Sequence, residues 1–388
     1  MRAGLYGECY HAPLIVTISA LDTERITGAT TFREFYAAVR DADIVDPGGR
    51  FLHLEMDITS RCNIRCVMCY HSLETFARSK AVLIPARRFE AIAASVLPHA
   101  HTLTLSLGSE PTTSPHFVPI LRAAAPHGVP NVSFFTNGTL LDDRIITEMF
   151  DANVTEVCVS VDGATAATYE AIRRGASFDV VIGNVRRLIA ARAERGRLHP
   201  RVRFDLVMMK RNVHELPAFI DLAASLGVDA VNFFHVVVYD GLRMAEQSLQ
   251  RHQDLSDLWI ERAVARAAAL GVPIASRPRT FAEARQTAPS AGGVYAETPY
   301  CRYPFFHISM DSSGHVLPCP FSHGEAPFGT VDDDTRFEAI WLGPGFSELR
   351  RRILTHDPPA MCRRCSYLAS RYPNVDALFE RRVAVAGR

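Results

Sequence analysis

The chain lacks the features that mark several protein classes. Its 42 basic and 42 acidic residues balance, so it has no charge excess of the kind that binds nucleic acid or an anionic membrane. Its longest apolar runs, such as Val231 to Tyr239, stop short of the ~18 residues of a membrane span. The N-terminus lacks the basic start and apolar stretch of a signal peptide. We therefore expect a cytoplasmic protein whose partner is a small molecule or a peptide, with no nucleic acid and no membrane.

A disulfide framework is also absent from the sequence. The chain has nine cysteines, an odd number, and seven of them fall into two tight groups. In a reducing compartment such grouping indicates metal ligation or catalysis. Only Cys9 and Cys158 lie outside the two groups.

Six mostly apolar runs alternate with helical patterns between residues 51 and 240, which predicts repeated βα units around a parallel sheet. The predicted strands are Phe51 to Ile58, Thr102 to Leu107, Val132 to Thr136, Glu156 to Val161, Arg203 to Met208 and Ala230 to Val237. The predicted helices between them include Ala86 to Val96, Asp142 to Phe150, Phe178 to Glu194 and His214 to Leu226. Since a full barrel needs eight units, we predict an α/β fold with a partial (β/α)6 barrel over residues 51–240.

The remaining segments flank this barrel. Residues 1–50 form an N-terminal extension of unknown role, with a possible strand at Leu14 to Ser19 and a helix at Thr31 to Val39. Residues 241–294 contain a long helix over residues 252–270 and the start of a linker rich in Pro, Gly, Ser and Thr from Ser276 to Pro299. Residues 295–370 carry the second cysteine group, and residues 371–388 form a C-terminal tail.

Cys62, Cys66 and Cys69 follow the first predicted strand with the spacing C-x3-C-x2-C. Loops at the carboxyl ends of parallel strands commonly carry the chemistry of a fold, and thiolates select an iron-sulfur cluster or zinc. The loop resembles that of the radical S-adenosylmethionine (SAM) superfamily, in which three cysteines hold a 4Fe-4S cluster whose fourth iron binds SAM. One electron then cleaves SAM to a 5'-deoxyadenosyl radical. The alternative is a structural zinc site, but His71 is a poor fourth ligand.

Further segments resemble SAM-binding motifs of this family. Gly108, Ser109 and Glu110 match its G-G-E-P segment, with Ser109 in place of the second glycine. Gly108 permits close backbone approach, and Glu110 is suited to accept a hydrogen bond from the SAM ammonium group. Each segment alone is also typical of an ordinary turn. The resemblance also implies SAM contacts from Met68 (through its backbone), Asn137, Ser160 and Arg173, the last of which we place in the helix after the fourth strand.

The second group consists of Cys301, Cys319, Cys362 and Cys365, with Gly314 five residues before Cys319. This pattern resembles the auxiliary-cluster extension called SPASM, or twitch in its short form, and the absence of cysteine after Cys365 matches the twitch form. The resemblance implies a second 4Fe-4S cluster with four protein thiolates, acting as an electron relay. A four-cysteine zinc site is the alternative. A hairpin from residues 305–310 to 315–317, turning at residues 312–314, is predicted to bring Cys301 and Cys319 together.

These resemblances imply a radical SAM oxidoreductase or epimerase that takes electrons from a flavodoxin or ferredoxin-type donor. Our first interpretation is dehydrogenation or epimerisation of a sugar, aminocyclitol or nucleoside in natural-product biosynthesis. Alternation places Cys158 on the strand face of Ser160 and Asp162, which makes it a candidate hydrogen donor for epimerisation. A small buried apolar cysteine is the competing interpretation.

The second interpretation is a ribosomal-peptide maturase that forms crosslinks or thioethers. It ranks second because only about 50 residues precede the first barrel strand, fewer than the ~80 of a typical peptide-recognition domain. A zinc-stapled binding protein ranks third. His235, Tyr239 and Asp240, at or just after the end of the sixth strand, are candidate substrate contacts.

Overall fold

The computed structural model describes residues 19–42 and 50–363, except residues 107, 240, 287–300, 302, 321, 323–324, 333–334 and 356. Several predictions fall on residues outside this range. They are the strand that begins at Leu14, most of the linker, Asp240, Cys365 and the tail over residues 371–388.

Ten strands in the described part of the chain form one sheet. Their order across the sheet is β10-β9-β8-β1-β2-β3-β4-β5-β6-β7. The six predicted strands are β1 to β6, and each pairs in parallel with the next, so the α/β prediction with a parallel sheet is confirmed. The strand bounds are β1 Leu52–Met56, β2 Ala100–Thr104, β3 Asn131–Thr136, β4 Glu156–Ser160, β5 Arg201–Met208, β6 Ala230–His235, β7 Ile274–Ser276, β8 His307–Met310, β9 His315–Leu317 and β10 Gly329–Thr330.

The helices follow the predicted periodicity closely. Ala86–Val96 and Phe178–Glu194 have the predicted bounds, and Gln253–Leu270 is the predicted long helix. None of the described helices is long and apolar enough to cross a membrane. The other α-helices are Ala20–Thr27, Phe32–Asp41, Glu74–Ala77, Phe117–Ala124, Asp143–Asp151, Ala166–Ile172, Leu216–Leu226, Phe281–Gln286, Tyr303–Phe306, Phe337–Trp341, Pro344–Leu354 and Ala360–Arg363.

The two faces of the sheet differ sharply in polarity. Leu54, Phe134 and Phe204 are fully buried in the apolar core that the helices cover. Because side chains alternate along a strand, the opposite face forms the lumen of the partial barrel. It carries the polar or charged residues His53, Glu55, Thr102, Thr104, Ser133, Glu156, Arg203, Asp205 and Asn232. The six runs that read as mostly apolar in the sequence therefore carry many polar residues on the lumen face.

A polar lumen contrasts with the aliphatic layers that fill a packed barrel. Several of its groups are paired, within one strand or across neighbouring strands. Arg203 forms ion pairs with Glu156 at 2.5 Å and Asp205 at 2.8 Å, and Thr104 contacts Ser133 at 3.1 Å between their hydroxyl oxygens. Buried charges persist when they are paired, so this lumen is built as a polar chamber.

The C-terminal cysteine-bearing part continues the barrel sheet. Strand β8 pairs in parallel with β1, with His307 beside His53 and Met310 beside Met56. The predicted hairpin is confirmed, since β8 and β9 pair antiparallel around a turn that ends at Gly314. The first barrel strand therefore has a barrel neighbour on one edge and a C-terminal neighbour on the other.

The N-terminal helices pack against the C-terminal ones. Fully buried Arg350 lies 4.3 Å from the ring centroids of both Phe35 and Trp341. It also donates hydrogen bonds to the carbonyl oxygens of Pro304, at 2.8 Å, and Trp341, at 2.6 Å. Cation–π contacts and carbonyl acceptors thus stabilise a buried guanidinium group that joins the two ends of the described chain.

The predicted linker contains regular structure in its described part. Residues 274–276 form strand β7, and Phe281–Gln286 is a helix. The Asp257 carboxylate accepts hydrogen bonds from the backbone amides of Phe281, at 2.6 Å, and Ala282, at 2.8 Å. This carboxylate supplies hydrogen-bond acceptors that the start of the helix needs. Local composition does not predict it, because Asp257 is distant in the sequence.

We expect Gly314→Ala to destabilise the protein by more than about 3 kcal/mol. Gly314 has φ +85°, and an added Cβ would lie 2.8 Å from the carbonyl oxygen of Val331. The energetic cost of backbone strain therefore adds to the cost of overpacking. The matched control is Gly128→Ala, which has φ +56° and nothing within 4 Å of the added Cβ; it should cost roughly 1–2 kcal/mol from strain alone. Urea unfolding of both variants measures the difference, and equal losses would contradict the packing argument.

Candidate active site

The three cysteines of the first group lie on one loop immediately after β1. Arg65 and Cys66 form a short antiparallel pairing with Arg173 and Arg174. The Cys66 carbonyl oxygen accepts a hydrogen bond of 2.6 Å from the Ser72 hydroxyl group. Cys66 is buried, whereas Cys62 and Cys69 are partly exposed. The loop thus presents soft sulfur donors at the carboxyl edge of the sheet, where a ligand can reach them.

The groups around this loop suit thiolates that ligate a metal cluster. Burial raises the pKa of all three thiols, that of Cys66 to about 12, and Arg173 opposes the shift in each case. The Asn137 side-chain amide donates to the Cys62 sulfur at 3.9 Å, and Arg173 donates to the Cys66 sulfur at the same distance. A bound metal stabilises thiolates that burial alone disfavours, so the donor set fits an iron-sulfur cluster.

Arg173 is not in the helix where the sequence placed it. The helix ends at Ile172, and Arg173 begins the short strand that pairs with Cys66. Its Nε lies 2.7 Å from Asp162 Oδ2, and both side chains are almost completely buried. Arg173 therefore pairs with a carboxylate of this chain, and the physical reason is that a buried guanidinium group needs a nearby anion.

Glu110 connects two neighbouring strand ends. Its Oε1 accepts hydrogen bonds from the hydroxyl groups of Thr112, at 2.5 Å, and Thr136, at 2.8 Å. Its Oε2 accepts from the Asn137 backbone amide at 2.6 Å. Burial raises the pKa of Glu110, and these donors oppose the shift. The carboxylate is fixed beside Asn137, which contacts Cys62, so Glu110 lies close to the cysteine loop.

Asp57 fixes the backbone of the segment before Glu110, a role that the sequence analysis missed. Its Oδ1 accepts hydrogen bonds of 3.1 Å from the backbone amides of both Gly108 and Ser109. An added Cβ on Gly108 would lie 2.1 Å from the Tyr70 hydroxyl oxygen. Gly108 is therefore required for close packing against Tyr70, while its predicted contact with SAM stays a prediction. The position of Asp57, on the lumen face at the end of β1, was the signal available in the sequence.

The remaining predicted SAM contacts lie around this loop. The Met68 side chain is buried in a small apolar cluster with Ile64 and Cys66. Ser160 ends β4 and pairs in register with Asp205 on the lumen face. The structure thus brings Met68, Gly108, Ser109, Glu110, Asn137, Ser160 and Arg173 to one end of the sheet.

Cys158 lies deeper on the same lumen face. It is almost completely buried, and its thiol donates to Glu156 Oε2 at 3.5 Å. Burial raises the pKa of this thiol well above its usual value, so it carries its proton. A hydrogen donor must be protonated, and its role as donor stays a prediction.

The candidate substrate contacts after β6 divide into two groups. Tyr239 lies near the cysteine loop, with its ring 5.8 Å from that of Tyr70. His235 instead packs on Phe281 with ring centroids 5.6 Å apart. The prediction that His235 faces the mouth is wrong, because it stands one residue out of phase with the lumen residues Asn232 and Phe234.

The structure describes three of the four cysteines of the second group, Cys301, Cys319 and Cys362. Cys301 precedes the helix Tyr303–Phe306, Cys319 follows β9, and Cys362 lies in the helix Ala360–Arg363. The Ser322 hydroxyl group donates to the Cys319 carbonyl oxygen at 2.6 Å. Among the described residues, no three His, Cys, Asp or Glu side chains converge on a single-ion site.

Two family models match the chain. The model of the radical SAM superfamily matches residues 56–233, and the model of the SPASM iron-sulfur cluster-binding domain matches residues 301–366. The chain belongs to the radical SAM superfamily. The match includes all three cysteines of the first group and all four of the second, so SAM binding and iron-sulfur ligation belong to this protein's family.

Known relatives share both parts of the chain. The mycofactocin maturase MftC of Mycobacterium tuberculosis is 26% identical over 328 residues, which cover 82% of this chain and 76% of the relative. The structure of Streptococcus suis SuiB bound to precursor peptide SuiA has a TM-score of 0.62 at 13% identity, covering 82% of this chain and 72% of SuiB. The structure of anSMEcpe with bound AdoMet has a TM-score of 0.57 at 17% identity, covering 82% and 87% of the two chains. The solved structures show a shared fold.

We expect Gly108→Ala to weaken SAM binding by about tenfold or more, which corresponds to ~1.4 kcal/mol. The new methyl group would overlap the Tyr70 hydroxyl oxygen, whereas the next nearest ring atom is 3.2 Å away. Adding Tyr70→Phe removes that hydroxyl and should restore most of the affinity. Equilibrium binding of SAM to the anaerobically reconstituted protein measures both effects, with Tyr70→Phe alone as the control. Equal affinities of the single and double variants would exclude this packing as the cause.

Proposed function

We propose that this protein cleaves SAM reductively and uses the radical to modify a peptide. Bound SAM, once reduced, supplies a 5'-deoxyadenosyl radical that removes a hydrogen atom from the substrate. The observation that carries this proposal is the position of the Cys62, Cys66 and Cys69 loop beside Glu110 and Asn137, at the mouth of the polar lumen. Here the chain would orient SAM and hold a substrate group beneath it.

Residue contacts suggest how the chain would hold SAM and the first cluster. Cys62, Cys66 and Cys69 would ligate a 4Fe-4S cluster and leave one iron for SAM. The backbone of Gly108 and Ser109, fixed by Asp57, would allow close approach of the amino group, and Glu110 would balance its charge. Arg173 would stabilise the thiolate of Cys66 from its position beside Asp162.

The second cysteine group would hold an auxiliary 4Fe-4S cluster. Cys301, Cys319, Cys362 and Cys365 together supply four thiolates, which would leave no iron open to substrate. An electron-relay role, with a flavodoxin or ferredoxin-type donor for the chain, is consistent with that closed shell. The parallel pairing of β8 with β1 supports a close coupling of this part to the barrel.

The comparisons favour a peptide over a sugar, aminocyclitol or nucleoside. The alignment to a mycofactocin maturase covers 82% of this chain, far more than the barrel alone. SuiB, which shares the fold, has been solved with a precursor peptide. The small-molecule substrate that we ranked first from the sequence has less support, so we place the peptide interpretation first.

The mouth of the lumen also suits a peptide. Large apolar side chains are exposed there, including Phe76 at 48%, Val237 at 50% and Val238 at 46%. The ring of Phe76 lies 4.8 Å from that of Tyr70, which also contacts Tyr239. We call Phe76, Val237 and Val238 the apolar rim. A polar chamber with an apolar rim fits a substrate that has both amide groups and apolar side chains.

The first test is metal content and SAM cleavage after anaerobic reconstitution. We expect about eight irons per chain in the wild type, falling to about four when Cys62, Cys66 and Cys69 are all replaced by alanine, with 5'-deoxyadenosine formation lost. Cys158→Ala is the matched cysteine control and should keep the full iron content. Zinc in place of iron, or no 5'-deoxyadenosine from the wild type, would overturn the proposed function.

The second test concerns the substrate class. We expect a synthetic mixed-sequence peptide library, and not a set of sugars, aminocyclitols and nucleosides, to stimulate SAM cleavage and to yield peptides of altered mass. The double variant Val237→Asp and Val238→Asp should reduce this stimulation at least about tenfold, because charge opposes apolar docking. Leu198→Asp, on a side chain that is 84% exposed outside the rim, is the control. Stimulation by the small molecules alone would reject the peptide proposal.

A further inference from the structure

Glu55 occupies a position in the lumen between the two parts of the protein. It lies on β1 on the same face as Asp57, which holds the Gly108 and Ser109 amides. Two residues along a strand correspond to about 7 Å, so Glu55 stands roughly that far below the SAM-binding segment. Its other neighbour is β8 of the C-terminal part, where Ser309 is its register partner.

Imidazole rings surround this carboxylate. His307 Nε2 lies 3.1 Å from Glu55 Oε2. The ring of His53 lies 4.6 Å from that of His307, and His53 Nε2 contacts the Thr104 hydroxyl oxygen at 2.9 Å. Glu55 keeps 16% side-chain exposure while His307 keeps 3%, so the carboxylate is the member of the pair that reaches the open lumen.

Unpartnered polar atoms lie on the lumen faces of β8, beside Glu55, and of β6. Within the described residues, Ser309 Oγ, Asn232 Oδ1 and both ring nitrogens of His307 are buried and make no hydrogen bond, so His307 Nε2 lies close to Glu55 Oε2 without hydrogen-bond geometry. Each belongs to a side chain that is more than nine-tenths buried. Since buried polar groups are almost always satisfied, these atoms call for a polar partner in the lumen, either water or a bound substrate.

The protonation of this cluster suits transfer of one proton. Burial raises the pKa of Glu55 to about 7, and burial lowers the pKa of His53 and His307 to about 3. The titratable groups that face Glu55 are His53, on its own strand, and His307, on β8, with His101 and Asp57 farther away. At neutral pH the imidazoles are therefore uncharged, and Glu55 is the group that changes charge.

Glu55 also stands apart from the other lumen carboxylates. Glu156 and Asp205 are both ion-paired with Arg203, so a proton on either would break a buried pair. Glu55 faces a neutral imidazole instead and can accept a proton without losing a cationic partner.

We propose that Glu55, in contact with His307, is the base that takes a proton from the substrate during its oxidation in the lumen. This inference rests on the proposed function. The substrate first loses a hydrogen atom from carbon to the 5'-deoxyadenosyl radical. The adjacent N–H or O–H bond then breaks, its proton goes to Glu55, and one electron passes to an oxidised iron-sulfur cluster. A carbon–nitrogen or carbon–oxygen double bond forms, and the substrate has lost two hydrogens in total.

A substrate-free measurement tests the ionisation. We would record isotope-edited infrared spectra of reconstituted protein with SAM, grown on carbon-13 glutamate, across a pH series. A protonated-carboxyl band should titrate near pH 7 and vanish in Glu55→Gln, while the exposed-helix control Glu90→Gln keeps it. A band that persists in Glu55→Gln, or no such band in the wild type, would overturn the assignment.

A turnover measurement tests the role in chemistry. With the peptide library as probe, Glu55→Gln should keep SAM cleavage within about twofold but lower oxidised peptide at least about 100-fold, the usual scale for a lost base. Wild-type product should rise with pH through about 7, as Glu55 loses its proton, and Glu55→Asp should recover part of the activity. Parallel loss of SAM cleavage and product would indicate a structural role and reject the proposal. If the wild type cleaves no SAM, the proposed function itself fails, which the infrared result does not depend on.

Discussion

The pairing of β1 on both of its edges is the constraint on which the rest of the structure depends. One edge pairs with β2 of the barrel and the other with β8 of the C-terminal part. The apolar face of β1 anchors the strand in the helix-covered core. Its carboxyl end leads directly into the cysteine loop, so the position of that loop is set by two separate sets of backbone hydrogen bonds. A loop fixed in this way can hold several sulfur atoms in a defined arrangement without much help from its own short secondary structure.

The same strand organises the chemistry of the lumen. Asp57 accepts a hydrogen bond from the Gly108 backbone amide, just before Glu110. Glu55 lies two residues earlier on the same strand face, beside His307. The functional groups therefore follow one another along a single strand face, from cofactor segment to substrate chamber. Buried charge is tolerated here because Arg203 and Arg173 each pair with a carboxylate, while Glu55 lies beside uncharged rings.

Much of this architecture could be predicted from residue patterns. The period of the apolar residues gave the six barrel strands and the bounds of Ala86–Val96 and Phe178–Glu194, because these elements bury one face against a common core. Cysteine spacing pointed to both cysteine groups, which the two family models also cover. The C-terminal hairpin was also visible, since Gly314 allows a backbone conformation that other residues resist.

The features that were missed depend on contacts between distant residues. His53 on β1 and His307 on β8 are register partners although they lie about 250 residues apart in the chain. Local composition cannot predict such a pairing. His235 was placed on the wrong face because strand phase was not followed to the end of β6. Arg173 was assigned to a helix that ends one residue earlier. It instead forms an ion pair with Asp162 and a short strand pairing with Cys66. The lumen charges were present in the sequence, but each strand as a whole reads as apolar.

The aromatic enclosure of Arg350 has a practical consequence for anyone shortening this protein. Phe35, from the N-terminal extension, covers one side of that guanidinium group, so a form trimmed to the first barrel strand would open it to water. Arg350 also donates a hydrogen bond to the carbonyl oxygen of Pro304, three residues from Cys301. Loosening the guanidinium group would weaken this bond as well. Phe35 of the N-terminal extension therefore helps to hold the distant C-terminal part in place, and a form trimmed to the first barrel strand would lose that support.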